Sequence, residues 1–110
     1  MATTATSKDH AILLIQYGED LSSRTYLDYD SVALCADGIC ALYEKGLKAL
    51  NPNTRHITYD IADLYHYIDQ LTDMTCLVYD ENRKSYLHRD KDWIKRRMYE
   101  RLREQATEAS

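Results

Sequence analysis

Two short stretches of the chain are apolar at every position, Ile12–Ile15 and Cys76–Tyr79. A strand with one dry face and one wet face alternates between apolar and polar residues, so both faces of these two strands are predicted to be covered. A chain of 110 residues can cover one face of a small sheet with helices but has little left for the other. The pattern therefore predicts that the second face packs against another copy of the protein, in a homodimer.

Four strands are predicted from the hydrophobic pattern and the turn residues between them. The first extends from Ala11 to about Tyr17, and a brief edge strand follows at Arg24–Leu27. A hairpin is predicted further along the chain, with arms at Thr75–Asp80 and Lys84–His88. The first arm contains the second fully apolar stretch, and the other arm is expected to be more exposed.

Three helices are predicted from apolar residues at steps of three and four. The first begins after a cap at Asp30 or Ser31 and ends before Pro52, which cannot continue the helical hydrogen-bond ladder. The second begins after Asp60, and the third begins near Asp90. The order of elements predicts an α+β fold, an antiparallel sheet with three helices on one face. The apolar stripes are Val32, Cys35, Ile39, Leu42, Tyr43, Leu47 and Leu50 in the first helix, Ile61, Leu64, Tyr65, Ile68 and Leu71 in the second, and Trp93, Ile94, Met98 and Leu102 in the third.

Length and composition predict one globular domain, since 45% of the residues are hydrophobic and 29% are charged. We assign the domain to residues 10–105, between a disordered N-terminal tail at residues 1–9 and a flexible C-terminal tail at residues 106–110. The longest apolar run, Ala11–Ile15, is far shorter than the roughly 20 residues of a membrane span, and no signal peptide is recognised. We therefore expect an intracellular protein.

The charge balance argues against a protein whose main role is to grip nucleic acid. The formal net charge is −4, whereas such proteins usually present a basic surface. The last predicted helix differs, because residues 89–104 carry seven cations and four acids. We interpret this stretch as a solvated face with ion pairs, and direct RNA binding through the basic C-terminal helix is the alternative function.

The cysteines and histidines predict neither a disulfide framework nor a metal site. Three cysteines, Cys35, Cys40 and Cys76, are an odd number, and we interpret them as small buried hydrophobic residues. Cys35 and Cys40 point about 140° apart around a helix, so they do not form a ligand pair. The four histidines show no zinc-ligand spacing.

No motif predicts an enzyme or a cofactor. The carboxylate pairs Asp60 with Asp63 and Asp69 with Asp73 are explained by helix capping and surface charge. The chain has only three glycines and contains neither a glycine-rich phosphate loop nor an HExxH motif.

Aromatic residues are unevenly used, with 10 tyrosines, one tryptophan and no phenylalanine. Rings that carry a hydroxyl suit half-buried boundaries, which include the margins of an ordinary core as well as partner-binding surfaces. Tyrosines near the ends of predicted strands are candidates for a partner-binding groove. These are Tyr17, Tyr26, Tyr29 and Tyr86.

Several sequence blocks follow one another in an order that resembles a known family. The blocks read HAILLIQ, RTYLDYDSV, LNPN, ITYDIADLYHYIDQL, CLVYD and DKDWIK, and they extend from His10 to about Ala106. Together they resemble the enhancer of rudimentary homologs. The resemblance implies a four-stranded antiparallel sheet, three helices on one face, and a homodimer formed through the sheets.

The resemblance also implies a function. Members of this family have no known catalysis and serve as dimeric adaptors in nuclear RNA metabolism, in splicing, elimination of selected transcripts (mRNA decay) and maturation of small RNAs such as piRNAs. Their partners are RNA-binding or RNA-processing proteins that contribute short segments. We therefore expect a non-catalytic homodimeric adaptor in the nucleus and cytoplasm, with no cofactor and no membrane partner.

The resemblance places part of each apolar strand at the dimer interface, with Leu13 and Ile15 under the helices. On the second apolar strand, alternation allows either Leu77 and Tyr79 or Cys76 and Val78 at the interface. The first pair is favoured, because a buried thiol suits the helix side and a tyrosine can send its hydroxyl to an interface rim. The predicted interface residues are Ile12, Leu14, Leu77 and Tyr79.

Family members are phosphorylated at acidic-directed sites in the segment that matches RTYLDYDSV. Thr25 is followed three residues later by Asp28 and is the candidate acceptor, whereas Ser31 lacks such an acid and is better explained as a helix cap. A phosphate on Thr25 would add about 1.5 to 2 negative charges beside Asp28 and Asp30, which should disturb the local structure.

Overall fold

A computed structural model describes residues 9–53 and 58–109. The chain alternates between pairs of strands and helices in the order ββααββα, with a single 3-10 turn at Leu21–Ser23. The strands are β1 (Ala11–Gln16), β2 (Arg24–Tyr29), β3 (Asp73–Asp80) and β4 (Ser85–Arg89). The helices are α1 (Val32–Leu50), α2 (Ile61–Gln70) and α3 (Lys91–Ala109).

The four strands form one antiparallel sheet in the order β2-β1-β3-β4. In this register Leu13 lies opposite Leu27 on one side and Cys76 on the other, and Tyr79 lies opposite Tyr86. The two central strands, β1 and β3, are those whose sequences contain the fully apolar stretches. Both edge strands have more polar sequences, which agrees with an edge position.

The core lies between the helices and one face of the sheet. Strand residues such as Leu13 and Met74 and helix residues such as Ile68 are completely buried there. Complete burial of such a side chain stabilises the folded state by about 1.5 to 3 kcal/mol before entropy costs. The α+β class and the four-stranded antiparallel sheet are thus confirmed, with three helices on one face. The buried core residues are Ala11, Leu13, Ile15, Cys35, Ala36, Ile39, Leu64, Ile68, Leu71, Met74, Cys76, Ile94 and Met98.

Side-chain caps fix the beginnings of the helices. Ser31, rather than Asp30, caps α1, because its Oγ accepts a hydrogen bond from the Leu34 amide at 3.1 Å. Asp60 and Asp63 form a capping box at α2, in which each carboxylate accepts from the other residue's amide, at 3.0 and 3.1 Å.

The element boundaries differ from the predicted ones at a few positions. The strand β2 continues past Leu27 to Tyr29, because its last residues pair with the first residues of β1. The helix α3 continues to Ala109, into the segment predicted as a flexible C-terminal tail. The disordered tail predicted for residues 1–9 lies outside the described residues except for Asp9, whose carboxylate accepts from the Val32 amide at the start of α1.

Within the described ranges, none of the helices combines the length and the apolar character that crossing a membrane requires.

Candidate functional site

One face of the sheet is covered by none of the described helices, and we call this surface the open face. Side chains alternate along a strand, so the residues that neighbour each other across the strands project to the same face. All three described helices pack on the opposite face through the core residues. Residues of the open face include Ile12 and Leu14 of β1, Tyr26 and Asp28 of β2, Thr75, Leu77 and Tyr79 of β3, and Tyr86 and His88 of β4.

The centre of the open face is apolar. Ile12 of β1 lies opposite Leu77 of β3, and Leu14 follows on the same side of β1. All three side chains are only half-buried, whereas the intervening Leu13 is completely buried on the helix side. A contiguous apolar patch of this kind is characteristic of a surface that binds another protein.

Polar and aromatic side chains surround one end of this patch. His10 lies just before β1, and its two ring nitrogens contact the Tyr86 hydroxyl at 2.8 Å and the Asp28 carboxylate at 3.4 Å. In the neutral tautomer that donates from Nε2 to Asp28, Nδ1 accepts from the Tyr86 hydroxyl. The Tyr86 ring also packs edge-on against Tyr79, with 5.3 Å between ring centroids. An apolar centre with a polar rim is the usual anatomy of a protein interface.

The four predicted interface residues, Ile12, Leu14, Leu77 and Tyr79, therefore share one face of the sheet. Of the two alternatives for β3, Cys76 and Val78 pack with the core instead. The dimer contact itself stays a prediction, since these positions describe a single chain.

The four tyrosines predicted to line a partner groove do not lie together within one chain. Tyr26 and Tyr86 project from the open face, but they belong to opposite edge strands, and 64% and 40% of their surfaces are exposed. Tyr29 points to the helix side, where its ring lies against Gly38 of α1, and burial raises the pKa of its hydroxyl. Tyr17 follows the end of β1 and is exposed. Their role in partner binding stays a prediction.

The phosphorylation candidate Thr25 lies on the edge strand β2, opposite Ile15, and is half-buried. Asp28, the acid three residues later, is on the open face and contacts His10. The acceptor and the acid therefore project from opposite faces of the sheet. Phosphorylation of Thr25 stays a prediction.

Several cations of the basic helix α3 are engaged within the protein. Arg101 makes a bidentate ion pair with Asp37 of α1, at 2.9 and 3.0 Å. Lys95 pairs with Asp69, and its hydrogen bond lowers the pKa of that carboxyl. These contacts agree with the interpretation of this helix as an ion-paired face, and they leave fewer cations for a nucleic acid backbone.

The carboxylate pairs have structural roles that the sequence suggested. Asp60 and Asp63 cap α2, and Asp69 is paired with Lys95. In the part of the chain that the structure describes, no group of three or more histidines, cysteines or acids is placed to hold a metal ion.

Comparison with known proteins identifies the family. The family described as Enhancer of rudimentary matches residues 7–108, nearly the whole chain. The chain belongs to the enhancer of rudimentary family. It is 50% identical over 97 residues to the protein enhancer of rudimentary of Drosophila virilis, covering 88% of this chain and 93% of that one. It is 47% identical to the enhancer of rudimentary homolog of Arabidopsis thaliana, covering 88% and 89%. The homolog of Dictyostelium discoideum is 43% identical, with 88% and 97% covered.

The enhancer of rudimentary match confirms the resemblance that the sequence blocks indicated. It includes every residue of the open face. The names of these relatives mention no catalytic activity.

Two features of the site were not predicted. Sequence reasoning missed the link from His10 to Tyr86 and Asp28, and it missed the approach of Cys35 to Cys76, whose sulfurs are 4.0 Å apart. Both depend on which strands and helices become neighbours, and no local spacing reveals that.

Proposed function

We propose that this protein is a non-catalytic homodimeric adaptor that docks short segments of RNA-binding or RNA-processing proteins. The processes served are elimination of selected transcripts, splicing and maturation of small RNAs, in the nucleus and cytoplasm. The observation that carries the proposal is the apolar open face of the sheet, where Ile12, Leu14 and Leu77 are half-buried and no helix of residues 9–53 and 58–109 lies above them.

A second copy of the same face is the occupant that this surface fits best. A twofold dimer pairs identical patches, so every apolar residue contributes twice. Completing the burial of a half-buried leucine or isoleucine contributes about 1 kcal/mol. The side chains of His10, Tyr79 and Tyr86 form a rim around the apolar centre. Their polar groups can contact water at the edge of such an interface.

A twofold dimer also explains how a protein without a catalytic centre can act in a pathway. Each partner-binding surface occurs twice, so two partner chains are brought to a high effective concentration. The exposed rings of Tyr26 and Tyr86 at the two edges of the sheet are suited to anchor such segments.

The dimer is tested with Ile12→Arg, which places two cations in the apolar centre of the proposed interface. Light scattering coupled to gel filtration at micromolar concentration should give twice the chain mass for the wild type. The variant should be a single chain or insoluble. The matched control is Leu50→Arg, an apolar-to-arginine change at the end of α1, where the side chain is 80% exposed. This control should remain a dimer.

A wild-type protein that is monomeric at micromolar concentration would contradict the proposal. A soluble Ile12→Arg variant that is as dimeric as the control would contradict it too.

The adaptor role is tested by affinity purification followed by mass spectrometry. RNA-binding proteins should be retained by the wild type and by Leu50→Arg, and they should be lost with Ile12→Arg. Filter binding with RNA alone at two salt concentrations examines the alternative. Tight, salt-sensitive binding by the isolated protein would favour direct RNA contact through α3 over the adaptor role.

A further inference from the structure

Two cysteines that are far apart in the sequence meet inside the core. Cys35 of α1 and Cys76 of the central strand β3 place their sulfurs 4.0 Å apart, within hydrogen-bond distance for thiols. Only 4% and 1% of their surfaces are exposed. The third cysteine, Cys40, is half-buried, and all three are free thiols. A buried free cysteine packs as a small hydrophobic residue, so packing alone gives no reason for two thiols to be neighbours.

We propose that Cys35 and Cys76 form a redox pair that hydroperoxides oxidise to an intramolecular disulfide joining α1 to β3. The Cys76 thiolate attacks one oxygen of hydrogen peroxide, the O–O bond breaks, and the released hydroxide takes a proton to become water. The resulting sulfenic acid is attacked by the Cys35 sulfur, so that the S–S bond forms and the S–O bond breaks. The second hydroxide takes the proton of Cys35, and the sum is one disulfide and two waters for one peroxide.

A small crevice lies beside the two cysteines. A disulfide needs about 2.05 Å between sulfurs, so the two sulfurs, now 4.0 Å apart, must move closer before the bond can form. A crevice of about 10 Å³ adjoins both cysteines, and Trp93, Arg97 and Met98 are among its other lining residues. This volume is close to the smallest that holds one water molecule. Hydrogen peroxide is a small thiol oxidant, but it is larger than water, so the lining side chains must move apart for it to reach the sulfurs.

The contact between the two thiols favours Cys76 as the attacking sulfur. The hydrogen bond from Cys35 lowers the pKa of Cys76, while the same contact, together with burial, raises the pKa of Cys35. Arg97 also lines the crevice, but its guanidinium is ion-paired with Glu100 and lies over the ring of Trp93, so the choice of Cys76 does not depend on its charge.

Cys40 provides an internal comparison. It is more exposed than the pair, but burial raises the pKa of its thiol, and no second cysteine lies beside it among the described residues. If exposure alone decided the order, peroxide would oxidise Cys40 first. The proposed pairing predicts instead that Cys40 is oxidised last. Bulky thiol reagents should show the opposite order, because they cannot reach the crevice.

The test treats the fully reduced wild-type protein with hydrogen peroxide and then alkylates it under denaturing conditions. Two of the three thiols should be protected from alkylation, and the intact mass before alkylation should fall by two hydrogen atoms. A thiol reductant should restore the two alkylatable thiols and the original mass. A protease that cuts before aspartate separates Cys35 from Cys40 at Asp37, so the cross-linked peptide should join residues 30–36 to residues 73–79.

Variants sharpen the assignment. Cys40→Ser should still lose two hydrogens, and Cys76→Ser should not. Serine at a buried position can impair folding. The peptide map of the wild-type protein therefore suffices to identify which two cysteines form the disulfide. The proposal is overturned if peroxide oxidises Cys40 while Cys35 and Cys76 stay alkylatable. It is also overturned if the only disulfides formed are between two chains.

Discussion

The two faces of the central strand β1 have almost the same chemistry and very different surroundings. Leu13 and Ile15 lie beneath the helices with 0% and 1% of their surfaces exposed. Ile12 and Leu14 point the other way and are only half-buried. An apolar side chain is therefore a necessary condition for burial and not a sufficient one, because a second layer must also be present. The described helices supply that layer on one face only, and the apolar surface left on the other face is the basis of the proposed dimer.

Truncating the covered face should have the largest effect on folding. Leu13→Ala removes a completely buried side chain and leaves a cavity, so the free energy of unfolding should fall by about 2 to 5 kcal/mol. Urea denaturation measures this loss. The folded fraction of the variant should still dimerise.

The control for this variant is Leu14→Ala, one residue away on the other face. It should leave the folded chain intact and act mainly on the dimer. The contrast between the faces fails if Leu14→Ala lowers the free energy of unfolding as much as Leu13→Ala and leaves the dimer dissociation constant unchanged.

An intermediate effect is expected at the centre of the open face. Leu77→Ala should weaken the dimer by about 1 kcal/mol per chain, hence about 2 kcal/mol in total, which raises the dissociation constant about 30-fold. Sedimentation equilibrium over a range of concentrations measures it. Val78→Ala, the neighbouring residue on the helix side, should instead lower the free energy of unfolding. A larger change in the dissociation constant for Val78→Ala than for Leu77→Ala would show that the wrong face has been assigned.

The smallest effect is expected at the rim. Tyr86→Phe removes the hydroxyl that contacts His10 at 2.8 Å, which should cost about 0.5 to 1.5 kcal/mol. Thermal denaturation at a fixed concentration detects the change. Tyr26→Phe, on the opposite edge strand, removes a hydroxyl that makes no hydrogen bond within the described part of the chain, and it should have no effect. Equal melting temperatures for both variants and the wild type would show that the contact between His10 and Tyr86 does not stabilise the protein.

Local chemistry made most of the fold predictable. Periodicity located three helices, the acid and hydroxyl caps located their starts, and turn residues located the hairpin of β3 and β4. Alternation separates Ile12 and Leu14 from Leu13, and the family resemblance indicated which of the two sets lies under the helices. These signals work because neighbouring residues in the sequence are neighbours in helices and strands.

Long-range pairing made the rest unpredictable. The sequence predicts that β2 ends at Leu27, but pairing with β1 extends the strand to Tyr29. The Tyr29 ring then lies on the helix side of the sheet, whereas Tyr26 projects from the open face. The sheet order and the meeting of Cys35 with Cys76 depend on how the helices cross the sheet. No spacing within one element encodes that arrangement.

The order β2-β1-β3-β4 divides the sheet into two local hairpins that touch only where β1 pairs with β3. Each hairpin can form early from nearby residues, but joining them must wait until the long intervening segment with α1 and α2 has closed. Ile12 comes from one hairpin and Leu77 from the other, so their shared apolar patch is created at that joining step. If the proposed dimer forms through this patch, a chain that has not yet joined its two hairpins lacks the surface for it, and dimerisation would be restricted to fully folded molecules.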